Sequence, residues 1–84
     1  MSKQQKILDG IQSRPPPADI RWDELKSMLE WLGYRMHKGD GARRKFAHPE
    51  TKAVIALHEP HHPAIVGKKC LTNVVQFLRD KGHI

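Results

Sequence analysis

Histidine and basic side chains lie close together in the second half of the chain. Three of the six histidines, His58, His61 and His62, fall within five residues, and Arg43 and Lys45 precede them. An imidazole ring exchanges a proton near neutral pH, which suits a general base or a general acid. Arginine and lysine supply fixed positive charge, which stabilises negative charge as it builds up on phosphate. These residue types are sufficient to cleave RNA by acid–base chemistry.

Each role in such a cleavage has a candidate. We predict that His58 removes the proton of the 2′-hydroxyl group, that Arg43 stabilises the phosphorane together with Lys45, and that His61 or His62 protonates the leaving 5′-oxygen. The expected product is a 2′,3′-cyclic phosphate, with no metal requirement. The predicted catalytic residues are His58, His61, His62 and Arg43. The other histidines, His37, His48 and His83, are interpreted as ordinary surface or turn residues.

The same histidines allow two other interpretations. One is that they are polar loop residues on a turn that Pro60 and Pro63 stiffen. The other is a transition-metal site formed by His58, His61 and His62 with Glu59, but that pattern lacks a cysteine and a distant fourth ligand. We therefore assign no metal and no cofactor.

Positive charge is concentrated in one part of the chain. The sequence has a formal net charge of +6. The window 35–69 holds eight basic and three acidic residues, so it carries five of the six net charges. A localised basic patch attracts polyanions, chiefly nucleic acid, although it can also serve solubility or an acidic protein partner. The predicted RNA-binding residues are Lys38, Arg43, Arg44, Lys45, Lys68 and Lys69.

Length and composition exclude several classes of protein. A chain of 84 residues holds one domain with a thin core. It has no apolar run long enough for a transmembrane helix and no apolar N-terminal stretch typical of a signal peptide. A single cysteine, Cys70, forms no internal disulfide. We expect a cytoplasmic protein without a membrane partner.

Apolar residues at steps of three and four predict three helices. The first covers 3–13 and must dock on another element, since so short a helix is not stable alone. A proline-rich linker follows, so we divide the chain into an N-terminal helix and linker at 1–18 and a domain at 19–84. The second helix covers 22–32 and ends at Gly33, and the third runs from about Gly67 to Lys81.

Between these helices the apolar period changes to two, which predicts three strands. They cover 34–37, 42–47 and 52–58. The predicted fold class is α+β, an α-β-β-β-α order with an extra N-terminal helix. Its three-stranded antiparallel sheet is covered by helices on one face, and the other face stays open.

A four-residue loop at 48–51 would set the register of the second and third strands. Arg43 would then pair with Ala56, and His58 would be a diagonal neighbour of Arg43. In this register Arg43, Lys45 and His58 point to the open face, whereas Phe46 points to the helices. Tyr34 is the best candidate for stacking on a base. Because aromatic side chains are few, we expect recognition of the RNA backbone or shape.

Four short stretches resemble the HicA-type mRNA interferase toxins, small ribonucleases of bacterial toxin–antitoxin pairs. They are Trp22-Asp23-Glu24-Leu25 through Leu32-Gly33-Tyr34, Gly41-Ala42-Arg43, His48-Pro49, and the helix from Gly67-Lys68 to Gly82. Together they span about residues 20 to 84. The resemblance implies a fold like the double-stranded-RNA-binding domain, endoribonuclease activity on mRNA, and a cognate antitoxin protein that covers the basic face.

The chain departs from the family pattern at one strand position. Typical members carry Gly-Ser-His there, with a catalytic histidine, whereas this chain has Gly41-Ala42-Arg43. Members with arginine at that position often show a Phe-His-x-Pro-His stretch, which His58 and His61 match. Three hypotheses stay open: a ribonuclease toxin whose chemistry has moved to the histidine-rich loop, an RNA-binding protein that has lost catalysis, and a protein-interaction domain with an acidic partner.

Overall fold

The computed structural model describes residues 2–61 and 64–84. Two helices come first, then three strands, then a last helix. Their bounds are α1 Lys3–Ile11, α2 Trp22–Trp31, β1 Arg35–Lys38, β2 Arg43–Ala47, β3 Val54–His58 and α3 Lys68–Asp80. The predicted element order is confirmed, and each predicted boundary lies within two residues of the observed one.

Local interactions define both ends of α2. At its start the backbone N–H of Arg21 donates to Glu24 Oε1 at 3.0 Å, and acidic side chains in the first turn favour the helix dipole. At its end Gly33 adopts φ +104°, a conformation that favours glycine, and the next backbone N–H, of Tyr34, donates to the carbonyl of Leu29 at 3.0 Å. The helix end at Gly33 leads the chain directly into β1, which begins at Arg35.

The N-terminal helix α1 is part of the main core. The Ser2 hydroxyl accepts a hydrogen bond from Gln5 N at 3.1 Å and caps its first turn. Its apolar residues Ile7, Leu8 and Ile11 are buried in the same cluster as the apolar faces of α2 and α3. The expectation that α1 docks on another element is therefore confirmed.

The three strands form an antiparallel meander in the order β1-β2-β3. On β2 and β3, Arg43 pairs with His58 and Ala47 with Val54, so the predicted pairing of Arg43 with Ala56 is wrong. The reason is the connection at 48–53, which is longer than the predicted loop. It closes with a hydrogen bond from His48 N to Ala53 O at 2.8 Å and holds Lys52 at φ 64°.

The error in register amounts to two residues, which leaves the faces of the strands unchanged. Phe46 is fully buried, and its ring centroid lies 5.9 Å from that of Trp22 on α2. Arg43 and Lys45 of the same strand are exposed on the other face, as predicted. The helices thus cover one face of the sheet and leave the other open. Within residues 2–61 and 64–84, no helix is long and apolar enough to cross a membrane.

Two neighbouring residues of β2 provide a test of this one-sided packing. We expect Phe46→Ala to lower the free energy of unfolding by about 3–5 kcal/mol, because it opens a cavity beneath the sheet. Lys45→Ala, on the open side, is the matched control and should change it by less than about 0.5 kcal/mol. Urea denaturation measures both, and similar losses in the two variants would contradict the assignment of the faces.

Candidate nucleic-acid interface

The open face of the sheet is formed by alternate residues of all three strands. Because side chains alternate along a strand, each strand presents every second residue to this side. The open face is defined here as Arg35 and His37 of β1, Arg43, Lys45 and Ala47 of β2, and Val54, Ala56 and His58 of β3. All of these residues are exposed except Ala47, which is half-buried.

Positive charge lies on the central strand, and a histidine lies on each outer strand. In β2, Arg43 is directly opposite His58 of β3, and Lys45 is directly opposite His37 of β1. Side chains paired in this way have Cβ atoms about 5 Å apart. Two cations therefore stand side by side between two imidazole rings.

A shallow cleft of about 290 Å³ marks the end of the open face near the β1–β2 turn. It is lined by His37, Lys38, Gly39, Asp40, Arg43 and Lys45, so one carboxylate lies beside the cations. Gly39 leaves room there for Arg43, since a Cβ atom at position 39 would lie 3.3 Å from Arg43 Cδ. The cleft is large enough for a phosphate group with part of its sugar.

The open face itself carries no protein carboxylate, although Asp40 lines the adjoining cleft. Its eight residues include three cations and no acid. Among the described residues, the single ion pair joins Arg44 to Glu59 and leaves Arg43 and Lys45 without a carboxylate partner. An exposed group of cations of this kind attracts an anionic ligand.

Arg44 is separated from the neighbouring cations, although sequence analysis grouped it with them. It points to the helix side of the sheet, where its side chain is 13% exposed and Nε donates to Glu59 Oε1 at 3.1 Å. The terminal nitrogen also donates to the carbonyls of Gly41 and Arg43, each at 2.9 Å. These contacts tie the start of β2 to the segment that follows β3.

The remaining predicted residues are spread over the molecule. Lys38 reaches the rim of the cleft. Lys68 and Lys69 are exposed in the first turn of α3, which belongs to the helix layer and not to the strands of the open face. His61 is exposed in the segment after β3, and His62 lies outside the described residues. In the part of the chain that is described, no three His, Cys, Asp or Glu side chains are grouped to hold a metal ion.

Tyr34 cannot stack on a base, so this prediction is wrong. Its side chain is only 2% exposed and packs edge-on against His48, with ring centroids 5.1 Å apart. Its hydroxyl forms a hydrogen bond with His83 Nε2 at 2.9 Å. Phe77 of α3 also packs against Tyr34, with 5.9 Å between the ring centroids. The two residues are far apart in the chain, so only the tertiary structure reveals this apolar contact.

The aromatic cluster, defined as Tyr34, His48, Phe77 and His83, joins the α2–β1 and β2–β3 connections to α3 and the C-terminal segment. His48 Nδ1 accepts hydrogen bonds from the backbone of Glu50 and Thr51, at 3.2 and 3.3 Å, and so shapes the β2–β3 connection. A Cβ atom at Gly33 would lie 2.7 Å from His48 Nε2, so glycine is required there for space as well as for its φ. His48 is thus a turn residue, as interpreted, but neither it nor His83 is an ordinary surface residue, since both are half-buried in this cluster.

Burial alters proton binding in the aromatic cluster. The pKa of His83 is lowered from its ordinary value, first by burial and then by the nearby positive charge that His48 can carry. Burial raises the pKa of the Tyr34 hydroxyl. Both effects favour the neutral forms, which suit a hydrogen bond between the two side chains.

Sequence analysis missed two functional side chains of the open face, Arg35 and His37 of β1. His37 shares its side of β1 with Arg35, and a short turn connects β1 to β2. Alternation along β1 was present in the sequence, but only the observed β1–β2 register places His37 on the same face as Lys45. Once the register is known, His37 and His58 flank the two central cations.

Comparisons of the chain with models of protein families, with curated proteins and with solved structures found no match. The assignment of a function therefore depends on the residues of the open face and on the resemblance of the short motifs.

The lowered pKa of His83 predicts a loss of stability in acid. As the pH falls through about 6.5, an unfolded chain binds a proton at this histidine more readily than the folded chain does, so the free energy of unfolding decreases. We expect His83→Gln to lose less stability than the wild type between about pH 8 and pH 5.5, because glutamine does not titrate. Urea denaturation at the two pH values measures this, and equal losses in both proteins would contradict it.

Proposed function

We propose that the open face binds RNA and cleaves it, and that the chain is the toxin component of a toxin–antitoxin pair. The observation that carries the proposal is the pairing of Arg43 with His58, beside Lys45, on an exposed strand face where neither cation is in an ion pair. A proton-transfer group and fixed positive charge meet there at a site open to a polymer.

Binding through the phosphate backbone fits the residues of this face. Arginine forms two parallel hydrogen bonds with a phosphate group, and lysine adds a point charge. Every strand residue is described, and none of those on the open face is Phe, Tyr or Trp. Stacking of bases on these large aromatic side chains is therefore not supported, and we infer that backbone or shape recognition dominates.

The proposed chemistry follows from the pairing of Arg43 with His58. His58 accepts the proton of the 2′-hydroxyl group, and the 2′-oxygen attacks the adjacent phosphorus. Arg43 and Lys45 stabilise the negative charge of the phosphorane. The bond to the 5′-oxygen breaks, which leaves a 2′,3′-cyclic phosphate and a 5′-hydroxyl group. This sequence of steps needs no metal ion.

The assignment as a toxin is supported by the resemblance to the HicA-type mRNA interferases. Arg43 stands at the strand position where typical members have their catalytic histidine, and His58 of this chain is directly opposite it. A histidine on the neighbouring strand would thus reach the same phosphate. We infer a cytoplasmic protein with mRNA as its substrate and a cognate antitoxin protein that covers the open face.

Salt-dependent binding tests the RNA-binding surface. We expect Lys45→Ala to weaken RNA binding and to reduce the slope of log K against log salt by about 1, because one phosphate contact is lost. Lys6→Ala, which removes the same charge from the exposed side of α1, is the matched control and should change neither. Titration of labelled RNA between about 50 and 200 mM salt measures both.

Two results would count against this surface. Equal weakening by Lys45→Ala and Lys6→Ala would mean that only net charge attracts the RNA. No salt-sensitive binding to RNA by the wild type would favour an acidic protein partner instead.

Cleavage in EDTA tests the chemistry. We expect the wild type to cleave end-labelled RNA and His58→Ala to lose at least about 10²-fold in rate, because the base is missing. RNA binding and the urea midpoint should stay close to those of the wild type, since His58 is exposed.

Other outcomes redirect the assignment. Cleavage that persists in His58→Ala would move the chemistry to His61 or His62. Wild-type protein that binds RNA in a salt-sensitive way without cleaving it would overturn the ribonuclease activity and leave an RNA-binding protein.

A further inference from the structure

We propose that His37 is the general acid of the site, on the opposite side of the phosphate from His58. The inference rests on the proposed ribonuclease activity and adds a catalytic residue to it. It replaces the prediction that His61 or His62 protonates the leaving group.

The register gives the spacing of the two histidines. His37 lies on β1 and His58 on β3, with β2 between them, and the two residues are one open-face position apart along the strands. From the standard separation of strands and of residues along them, their Cα atoms are about 12 Å apart. Arg43 and Lys45 occupy the space between. A phosphate group held by these two cations therefore has one histidine on each side.

The geometry of phosphoryl transfer needs such an arrangement. The attacking and leaving oxygens lie roughly in line, on opposite sides of the phosphorus. A base at the 2′-oxygen and an acid at the 5′-oxygen must therefore approach from opposite sides. His37 and His58 do so across β2, and this is the observation that carries the inference.

His37 is also accessible for this role. Its side chain is exposed and lines the cleft beside Arg43 and Lys45. By contrast, His61 follows His58 in the chain by three residues. The intervening Glu59 is held on the β3 side by hydrogen bonds to Ala42 O at 2.8 Å and from Arg44. His61 lies beyond the end of β3, is exposed, and is absent from the residues that line the cleft.

The proton balance closes with these two residues. His58 begins neutral and takes the 2′-hydroxyl proton, while the 2′-oxygen forms a bond to phosphorus. His37 begins protonated and gives its proton to the 5′-oxygen, which keeps the electron pair of the broken P–O bond. The products are a 2′,3′-cyclic phosphate and a 5′-hydroxyl group. Proton exchange with water then restores both imidazoles.

An RNA whose leaving 5′-oxygen is replaced by sulfur at one linkage separates the two roles. A thiolate leaves without protonation, so a missing general acid has little effect on that substrate, whereas a missing base still does. We expect His37→Ala to cleave the oxygen substrate at least about 10²-fold more slowly than the wild type and to recover most of that loss on the sulfur substrate. His58→Ala should stay slow on both.

The assay compares wild type, His37→Ala and His58→Ala in EDTA, with RNA binding and urea unfolding as controls for the fold. No loss in His37→Ala, or an equal loss on both substrates, would overturn the role of His37 as acid. Rescue of His58→Ala in place of His37→Ala would overturn it as well. A wild type that cleaves neither substrate would instead overturn the proposed ribonuclease function, so the two failures are distinguishable.

Discussion

Phe46 of β2 packs against Trp22 of α2, and the placement of the other strand residues depends on this contact. Because side chains alternate along a strand, the burial of Phe46 forces its neighbour Lys45 to the opposite face, and Arg43 with it. The pairing of β1 and β3 with β2 then carries His37 and His58 to that face. One buried aromatic ring thus determines the side of the sheet on which the basic and imidazole groups stand.

The size of the chain explains why that face is open. Three short helices can cover one side of a three-stranded sheet, and the apolar residues of all three form a single core with Phe46 and Leu57. The other side is left to water, and cations there repel one another at a small cost because the solvent screens them. An anion bound between them would relieve that repulsion. The one-sided packing therefore leaves exposed the cations to which we propose that RNA binds.

Three of the four motifs that resemble the interferase toxins have a structural role in this chain. Gly33-Tyr34, His48-Pro49 and the end of α3 meet in the aromatic cluster, where they shape the β2–β3 connection and anchor the C-terminus. The groups proposed for chemistry lie on the opposite side of the sheet. In this chain these three motifs serve packing, and the chemistry of the open face has to be judged from Arg43, Lys45 and the two histidines beside them.

Local patterns were sufficient to predict the elements, their order and the buried faces of β2 and β3. A period of 3.6 or 2 is a property of neighbouring residues, and so are the glycine stops of α2 and α3. The register of β2 and β3 was decided by the tertiary structure, because a residue such as Lys52 at positive φ lengthens the connection in a way that composition does not indicate. Contacts between residues far apart in the chain also decided other features. They bury Tyr34, pair Arg44 with Glu59 and place His37 opposite Lys45. The sequence alone therefore determined which side of the sheet is basic, whereas only the three-dimensional pairing decided which groups stand together on it.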